Sequence, residues 1–363
     1  MRKRLRDYGL SVGSLQPGAW NAITDVEGVR VGHTTLVSGE GALHPGEGPV
    51  RTGVTVILPH GGNIYREKVH AAVHTINGYG KPLGFEQVRE LGLIESPIAL
   101  TNTLNVGLVA DALVQALVAD NPDIGIDAPS VNVLVGETND GYLNDLQGRH
   151  VKAGHVFSAL KGARPGPVAE GALGAGTGVT CFGWKGGIGT ASRVLSIEQG
   201  GYTLGALVQT NFGSSRDFVI CGHPVGMKLQ PPAAKPLPLQ DGGGSVMVVL
   251  ATDAPLVARQ LQRVAVRAGA GLARTGSIYS HGSGDFVIAF STANRMPVDS
   301  TRTLQQEYIA DEEAVLNPLF HAAADCVEEA VLNSLFMAET VSGRDGHIRH
   351  ALPVEEVLRL MQS

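Results

Sequence analysis

Short apolar runs separated by glycine-rich turns recur along the chain and predict an α/β protein with many strands. Alternating positions, or continuous apolar runs of strand length, mark the predicted strands: 21–33, 53–59, 97–103, 131–136, 176–182, 187–197, 201–209, 245–252 and 286–291. Helical patterns predict the helices 66–76, 85–91, 106–118, 255–268, 307–338 (with a break near Asn317 and Pro318) and 353–361. Strands in clusters with helices on either side indicate two sheets, or one large sheet, covered by helices.

One junction stands out from this pattern. A proline-rich run at 230–238 leads to Asp241-Gly-Gly-Gly-Ser245, and an apolar run at 246–251 follows at once. Proline keeps the approach extended and glycine leaves the backbone almost unrestricted. If the Gly244–Ser245 bond were cut, Ser245 would carry both a hydroxyl and a free α-amine. Because an α-amine has a pKa of about 7.7 to 8.0, it could act as the base for its own hydroxyl.

The same junction has a simpler interpretation as a linker or surface loop, which is the usual role of proline-then-glycine stretches. That interpretation leaves the serine without a role. It also predicts two self-sufficient domains, and residues 245–363 are short of predicted strands for a domain of their own. We therefore predict a single domain over residues 1–363.

Composition narrows the range of functions. The chain has 363 residues, 43% hydrophobic and 17% charged, with a net charge of −6, which is typical of a globular protein and argues against nucleic acid as a partner. The basic start at 1–6 is expected to be a solvated end. No apolar segment follows it and no run approaches membrane-spanning length, so we expect a cytoplasmic protein without a membrane partner. Cys181, Cys221 and Cys326 are expected to be small buried side chains.

Candidate chemistry outside the junction is sparse. The predicted strand 131–136 ends in a polar cluster that begins at Glu137 and includes Asp140, at the kind of strand end where α/β sites lie; an ordinary turn with surface acids is the alternative. The chain lacks a dinucleotide fingerprint, a phosphate loop, a nucleophile elbow and a zinc-type histidine pair. We therefore expect no cofactor and no metal.

With Ser245 singled out, the chain resembles a known family of self-processing aminopeptidases of the S58 type, which includes the D-aminopeptidase/D-esterase enzymes and the β-peptidyl aminopeptidases. Six motifs in one order carry the resemblance: 17–26, 100–103, 136–143, 209–213, 243–245 and 282–285. Together they span almost the whole chain. The turn at 80–84, Gly-Lys-Pro-Leu-Gly, departs from the form in relatives, so pocket shape is where this chain is expected to differ.

The resemblance implies a four-layer αββα sandwich, similar to that of N-terminal nucleophile hydrolases but with a different connectivity. It also implies an inactive precursor that cuts itself before Ser245 into an α chain, 1–244, and a β chain, 245–363. The two halves stay together as a heterodimer, and four heterodimers form a homotetramer. The implied substrates are short peptides, amino-acid amides or esters.

The resemblance also assigns roles to residues of this chain. Ser245 is similar to the nucleophile, and Ser283 and Asp285 to the polar pair that orients it and its amine. Asn211 is similar to the donor that stabilises the oxyanion, and Tyr142 to a second group at the reacting carbonyl. Glu137 and Asp140 lie where a carboxylate would bind the substrate's ammonium, and either could serve.

Two other functions remain open at this point. The first is an amine acyltransferase of the related self-cleaving ornithine acetyltransferase type, although that family uses threonine as its nucleophile and this chain has serine. The second is a binding protein without enzymatic activity, in which the junction is only a linker.

Overall fold

The structure is a computed structural model that describes residues 2–233, 244–299 and 302–362. The predicted proline-rich approach to Ser245 therefore lies largely outside the described residues. The strands of the first half are β1 (Arg30–Ser38), β2 (Val50–Leu58), β3 (Glu67–Gly78), β4 (Leu93–Ile94), β5 (Ile98–Asn102) and β6 (Leu134–Thr138). Those of the second half are β7 (Thr180–Cys181), β8 (Trp184–Lys185), β9 (Ile188–Val194), β10 (Thr203–Asn211), β11 (Ser245–Thr252), β12 (Gly284–Pro297), β13 (Val341–Ser342) and β14 (Ile348–Arg349). The α-helices are α1 (Phe85–Leu91), α2 (Val106–Asp120), α3 (Ala153–Gly162), α4 (Ala258–Arg274), α5 (Glu312–Met337) and α6 (Val354–Gln362).

Two large sheets form the centre of the molecule. The smaller has the order β1-β2-β5-β6, and the larger has the order β4-β3-β12-β11-β10-β9. In the larger sheet β11 pairs in parallel with β12 and antiparallel with β10. Strand β11, which begins at Ser245, and strand β12 therefore lie between β3 and β10, which precede Ser245 in sequence.

Side chains of β11 alternate strictly between two hydrophobic cores. Val246, Val248 and Leu250 belong to the core shared with α4 and α5. Met247 and Val249 point the other way, into the core between the two sheets. A strand buried on both faces needs apolar residues at every position, which explains the unbroken run after Ser245.

Helices cover both outer faces of the paired sheets. Helices α2 and α3 pack on the smaller sheet, and α4 and α5 pack on the larger one. The layer order is therefore helix, sheet, sheet, helix, and the predicted four-layer αββα sandwich is confirmed. Close approach between layers requires glycine at two positions in particular: a Cβ on Gly136 would lie 2.5 Å from Met247 of the facing sheet, and one on Gly32 only 2.1 Å from the Ala159 carbonyl of α3.

Some predictions of secondary structure were wrong, and one helix was missed. The predicted helix 66–76 is the strand β3, because Val69, Ala71 and Val73 alternate into the core between the sheets and pairing with β12 outweighs local helical propensity. In the predicted strand 21–33, residues Ile23–Asp25 form a 3₁₀ turn and the strand starts only at Arg30. Helix α3 was not predicted.

The predicted break near Pro318 is also absent, since α5 runs continuously from Glu312 to Met337. Proline inside a helix costs about 3 kcal/mol through the lost hydrogen bond and a steric clash. Here α5 packs along α4, β9 and β10, and burial over most of its length outweighs that cost.

One helix among the described residues, within Thr103–Asp120, is long and apolar enough by length and composition to cross a membrane. The prediction that no run approaches this length was wrong. About 39% of the window is buried, and Val109, Leu113 and Leu117 of α2 belong to the core beneath the smaller sheet. Packing in an outer helical layer accounts for this apolar face.

The basic N-terminal segment is not a solvated end, as the sequence had predicted. Arg2 donates to the carbonyls of Leu335 and Leu352, and Arg6 forms an ion pair with buried Glu329. All three partners follow Ser245 in the chain. The start of the chain is therefore fastened to its last third.

Candidate active site

The ends of three neighbouring strands bring Ser245 together with its predicted partners. Ser245 is the first residue of β11, and it is paired in register with Asn211, the last residue of β10. On its other side it is paired with Gly284, the first residue of β12, between Ser283 and Asp285. Residues 211, 245 and 283–285 therefore share one edge of the larger sheet, although up to 74 positions separate them in sequence.

The Ser245 hydroxyl is hydrogen-bonded to the carbonyl group of the residue that precedes it. Its Oγ donates a hydrogen bond of 2.7 Å to the Gly244 carbonyl oxygen. The Gly284 backbone N–H donates to the same oxygen at 3.0 Å. Two donors on one carbonyl polarise it and make its carbon more electrophilic, and one of these donors is the hydroxyl that the sequence predicts as the nucleophile.

Gly244 is required by close packing as well as by conformational freedom. A Cβ at this position would lie 2.7 Å from the Phe212 Cα and 2.9 Å from the Asn211 carbonyl oxygen. The chain before Ser245 thus runs directly against the end of β10. The sequence suggested glycine for its flexibility, and the structure adds this steric reason.

Ser283 and Asp285 form a hydrogen-bonded pair at the start of β12. The Ser283 hydroxyl donates to Asp285 Oδ1 at 2.7 Å, while the other carboxylate oxygen is buried without a hydrogen-bond partner among the described residues. Burial raises the pKa of Asp285 to about 6, against the lowering effect of the Ser283 hydrogen bond. A carboxyl group with this pKa can act as a base near neutral pH.

The Asn211 carboxamide is held in one orientation. Its side-chain oxygen accepts a hydrogen bond of 2.9 Å from the backbone N–H of Thr180. Because a backbone N–H can only donate, the carboxamide oxygen must face it and the NH2 group must face away. No acceptor for that NH2 group is found among the described residues, so it is free to bind a developing oxyanion.

Glu137 is buried beside the loop that covers the start of β12. Its Oε1 accepts the Lys81 backbone N–H at 2.9 Å, and its Oε2 accepts the Thr103 hydroxyl. Gly80 lies between Glu137 and this strand, because a Cβ on Gly80 would be 3.2 Å from Oε1 and a Cβ on Gly284 would be 3.1 Å from the Gly80 Cα. Gly80 therefore separates Glu137 from Gly284, the residue paired with Ser245 in the sheet.

Asp140 is also buried, but its contacts differ. Asp140 Oδ1 accepts a hydrogen bond of 3.0 Å from Asn144, whereas Oδ2 has no hydrogen-bond partner in the described part of the chain. Burial raises the pKa of Asp140 to about 7, against the lowering effect of neighbouring polar side chains. Asp140 packs against Gly178, where a Cβ would lie 2.9 Å from its own Cβ.

The Tyr142 ring stacks on a second aromatic ring and lies close to a guanidinium group. Its ring is parallel to that of His347 at 4.4 Å between centroids, and the Arg349 guanidinium lies 3.6 Å from the ring centroid. No contact between Tyr142 and Ser245 or Asn211 is found among the described residues. Tyr142 is connected indirectly to the segment that orients Asn211, through Arg349, whose Nε donates to the Thr180 hydroxyl at 2.9 Å.

One further polar residue near the site was not identified from the sequence. Lys185 is fully buried, and its ammonium donates to the carbonyls of Gly176, Val179 and Gly186 at 2.7 to 3.0 Å. Burial lowers the pKa of Lys185 to about 7. Since these carbonyls flank the segment that carries Thr180, Lys185 helps to fix the group that orients Asn211. A lysine inside a glycine-rich apolar stretch was the available signal.

Within residues 2–233, 244–299 and 302–362, no group of three or more His, Cys, Asp or Glu side chains is arranged to hold a metal ion. The three cysteines are free; Cys181 and Cys326 are buried, as expected, and Cys221 is partly exposed. The reactive groups described at the site are the Ser245 hydroxyl, the Asp285 carboxyl group with its Ser283 partner, and amide donors.

Comparison with known proteins agrees with this arrangement. The sequence model of Peptidase family S58 matches residues 21–349. The chain belongs to peptidase family S58. The β-peptidyl aminopeptidase BapA of Sphingosinicella microcystinivorans is 42% identical to this S58 chain over 371 aligned residues, which cover 99% of this chain and 92% of BapA.

Solved structures extend the comparison to the fold of the family. The PH0078 protein of Pyrococcus horikoshii OT3 superposes with a TM-score of 0.93 at 52% identity and covers 99% of each chain. The L-aminopeptidase D-Ala-esterase/amidase of Ochrobactrum anthropi, a prototype for the serine aminopeptidases and a new variant among the Ntn hydrolase fold, gives 0.89 at 39% identity, covering 99% of this chain and 98% of that one. The predicted family and its Ntn-hydrolase-like sandwich are both confirmed.

Proposed function

We propose that this protein is a self-processing aminopeptidase and amidase, which removes the N-terminal residue from short peptides, amino-acid amides or esters. The observation that carries the proposal is the 2.7 Å hydrogen bond from the Ser245 hydroxyl to the Gly244 carbonyl oxygen. Membership of family S58 and similarity to enzymes named aminopeptidases support the same class of reaction. They do not favour the amine acyltransferase alternative.

Self-processing begins with attack of Ser245 Oγ on the Gly244 carbonyl carbon. Asp285, acting through Ser283, accepts the hydroxyl proton, and the Gly284 N–H stabilises the oxyanion that forms on the Gly244 oxygen. The C–N bond then breaks, the departing amine takes the proton, and an ester links Gly244 to Ser245 Oγ. Water hydrolyses this ester, giving the α chain 1–244 with a new carboxylate and the β chain 245–363 with a free amine.

In the mature enzyme the freed amine of Ser245 becomes the base. With a pKa of about 7.7 to 8.0 for an α-amine, a useful fraction is neutral at physiological pH. The amine takes the hydroxyl proton while Oγ attacks the substrate carbonyl, and the free NH2 group of Asn211 stabilises the oxyanion. The amine or alcohol leaves with that proton, and water clears the acyl-enzyme. A second contact from Tyr142 to the carbonyl stays a prediction.

We propose Glu137, rather than Asp140, as the carboxylate that binds the substrate's ammonium. Glu137 contacts the loop that packs directly on Gly284, beside the nucleophile. Asp140 packs instead against Gly178, with a pKa raised to about 7 by burial. The cytoplasmic location, expected from the sequence pattern, and the homotetramer of α/β heterodimers, implied by the family resemblance, both stay predictions.

A pair of substrates that differ only at the amine tests the peptidase function. We expect the p-nitroanilides of alanine and β-alanine, each with a free amine, to be hydrolysed, and their N-acetyl forms to be hydrolysed at least about 100-fold more slowly, because acetylation removes the charge that a buried carboxylate pairs with. The assay follows release of p-nitroaniline and includes both D- and L-alanine. Equal rates for the free and acetylated forms would contradict an aminopeptidase.

The pKa of Asp285 predicts how self-processing depends on pH. Its carboxylate must be ionised to accept the Ser245 proton, so the processing rate is expected to fall about tenfold per pH unit below pH 6 and to level off above it. The rate is measured by synthesising the chain without cells at pH 5, shifting the pH and following the two fragments on a denaturing gel.

Asp285→Asn is the matched variant for this experiment. It keeps the size of the side chain but has no ionisation, so processing is expected to be slow and independent of pH between 5 and 8. Asp217→Asn, at an exposed residue, serves as the control. An unchanged pH profile in Asp285→Asn would show that another group is the base.

A further inference from the structure

The loop between β3 and α1, here called the Tyr79 loop (residues 79–83), covers the start of β12. The Tyr79 N–H donates to the Ser283 carbonyl at 3.3 Å, and a Cβ on Gly284 would lie 2.7 Å from the Tyr79 carbonyl oxygen. Gly80 is equally close to the sheet, since a Cβ there would be 2.5 Å from the Phe286 ring. The loop therefore forms one wall above the strand ends that hold Ser245.

The outer surface of this loop presents a cation and an aromatic ring to solvent. Tyr79 is 63% exposed, and the Lys81 ammonium lies 5.7 Å from its ring centroid. The His281 ring lies 6.4 Å from the Tyr79 ring. No carboxylate lies within ion-pair distance of the Lys81 ammonium in the described part of the chain, so its charge is uncompensated.

Lys81 also contacts the carboxylate that we propose for the substrate's ammonium. Its backbone N–H donates to Glu137 Oε1 at 2.9 Å, and its side chain leads from there to the loop surface. The negative and positive groups are therefore separated by no more than one lysine side chain and one hydrogen bond. This spacing matches a substrate with an ammonium at one end and a carboxylate a few bonds away.

We propose that Lys81, flanked by Tyr79, is a carboxylate subsite that gives this enzyme a preference for anionic substrates. The inference rests on the proposed aminopeptidase function, with Glu137 binding the ammonium. The carboxylate has two possible sources: an acidic side chain on the N-terminal residue, or the C-terminal carboxylate of a dipeptide. In both cases Lys81 attracts a negative charge on the substrate, and the proposed reaction at Ser245 does not itself require that charge.

The preference is measured as a ratio between substrates of nearly equal shape. Glutamic acid α-(p-nitroanilide) and glutamine α-(p-nitroanilide) test the side-chain source, and alanyl-alanine and alanyl-alaninamide test the C-terminal source. We expect the anionic member of at least one pair to have a kcat/KM about 5- to 10-fold higher, mainly through KM, since a partly solvated ion pair has a modest effect. The ratio is expected to decrease in 0.5 M NaCl.

Two variants at the subsite identify the group responsible. In Lys81→Met, which keeps the length of the side chain, the ratio is expected to fall to about 1, and in Lys81→Arg it is expected to persist. Lys161→Met removes an exposed lysine from α3 and controls for the loss of one positive charge. Processing into two fragments confirms that each variant is folded.

The outcomes separate this inference from the function on which it rests. If wild type hydrolyses neutral alanine substrates but shows no preference in either pair, or if Lys81→Met keeps the preference, the carboxylate subsite is wrong and the aminopeptidase stands. If wild type hydrolyses none of these substrates, the aminopeptidase function itself fails.

Discussion

Replacing Ser245 with alanine is expected to leave a single chain of 37.9 kDa where the wild type shows two fragments that meet at Gly244 and Ser245. The variant lacks the oxygen that lies against the Gly244 carbonyl, so no ester can form and the bond is not cut. It also lacks both the nucleophile and the freed amine. We therefore expect a loss of peptidase activity of at least about 10⁴-fold, the scale found when an essential nucleophile is removed.

Intact mass under denaturing conditions measures the first effect, and hydrolysis of alanine p-nitroanilide measures the second. Ser214→Ala, at an exposed serine three residues after Asn211, is the matched control and is expected to process fully. A single uncut chain in both wild type and Ser245→Ala would show that the chain does not process itself and that the glycine run is only a linker. Two fragments in Ser245→Ala would show that another protease makes the cut.

Glu329→Gln is expected to reduce the free energy of unfolding by about 3–5 kcal/mol, the usual effect of removing one partner from a buried ion pair. Glu329 and Arg193 are both fully buried and lie 2.6 Å apart, and Arg6 binds the other carboxylate oxygen at 2.7 Å. Glutamine cannot balance the Arg193 charge. It leaves that charge in the core between β9 and α5.

The unfolding experiment is best performed in the Ser245→Ala background, where one covalent chain avoids dissociation of fragments as a second process. Urea denaturation followed by circular dichroism gives the midpoint and the slope. Glu86→Gln removes an exposed partner of Arg89 and is expected to change stability by less than about 0.5 kcal/mol. Equal midpoints for Glu329→Gln and its parent would contradict the assigned role.

The sequence was informative where the determining interactions are local. The glycine run before Ser245 and the continuous apolar residues after it lie next to one another, so the junction and β11 could be predicted directly. The grouping of Ser245 with Asn211 and Asp285 could not, because it depends on which strands become neighbours. Only the family resemblance, through the order of its motifs, supplied that grouping.

Elsewhere, long-range contacts decided what local patterns could not. The segment Glu67–Gly78 has both Val69 and Val73 at helical spacing and Ala71 between them, so only pairing with β12 settles it as a strand. Arg2 donates to a carbonyl 333 residues away, and Arg6 donates to a carboxylate 323 residues away. Charged residues with such partners look solvent-exposed in sequence, since nothing nearby shows that they are buried.

The insertion of β11 and β12 between β3 and β10 has a consequence for synthesis on the ribosome. Translation delivers the N-terminal part first, and during that time β3 and β10 each present an unpaired edge. The larger sheet can be completed only after β11 and β12 have emerged from the ribosome. The strands around the bond before Ser245 therefore come together late, so we expect the proposed cut only when the polypeptide is nearly complete.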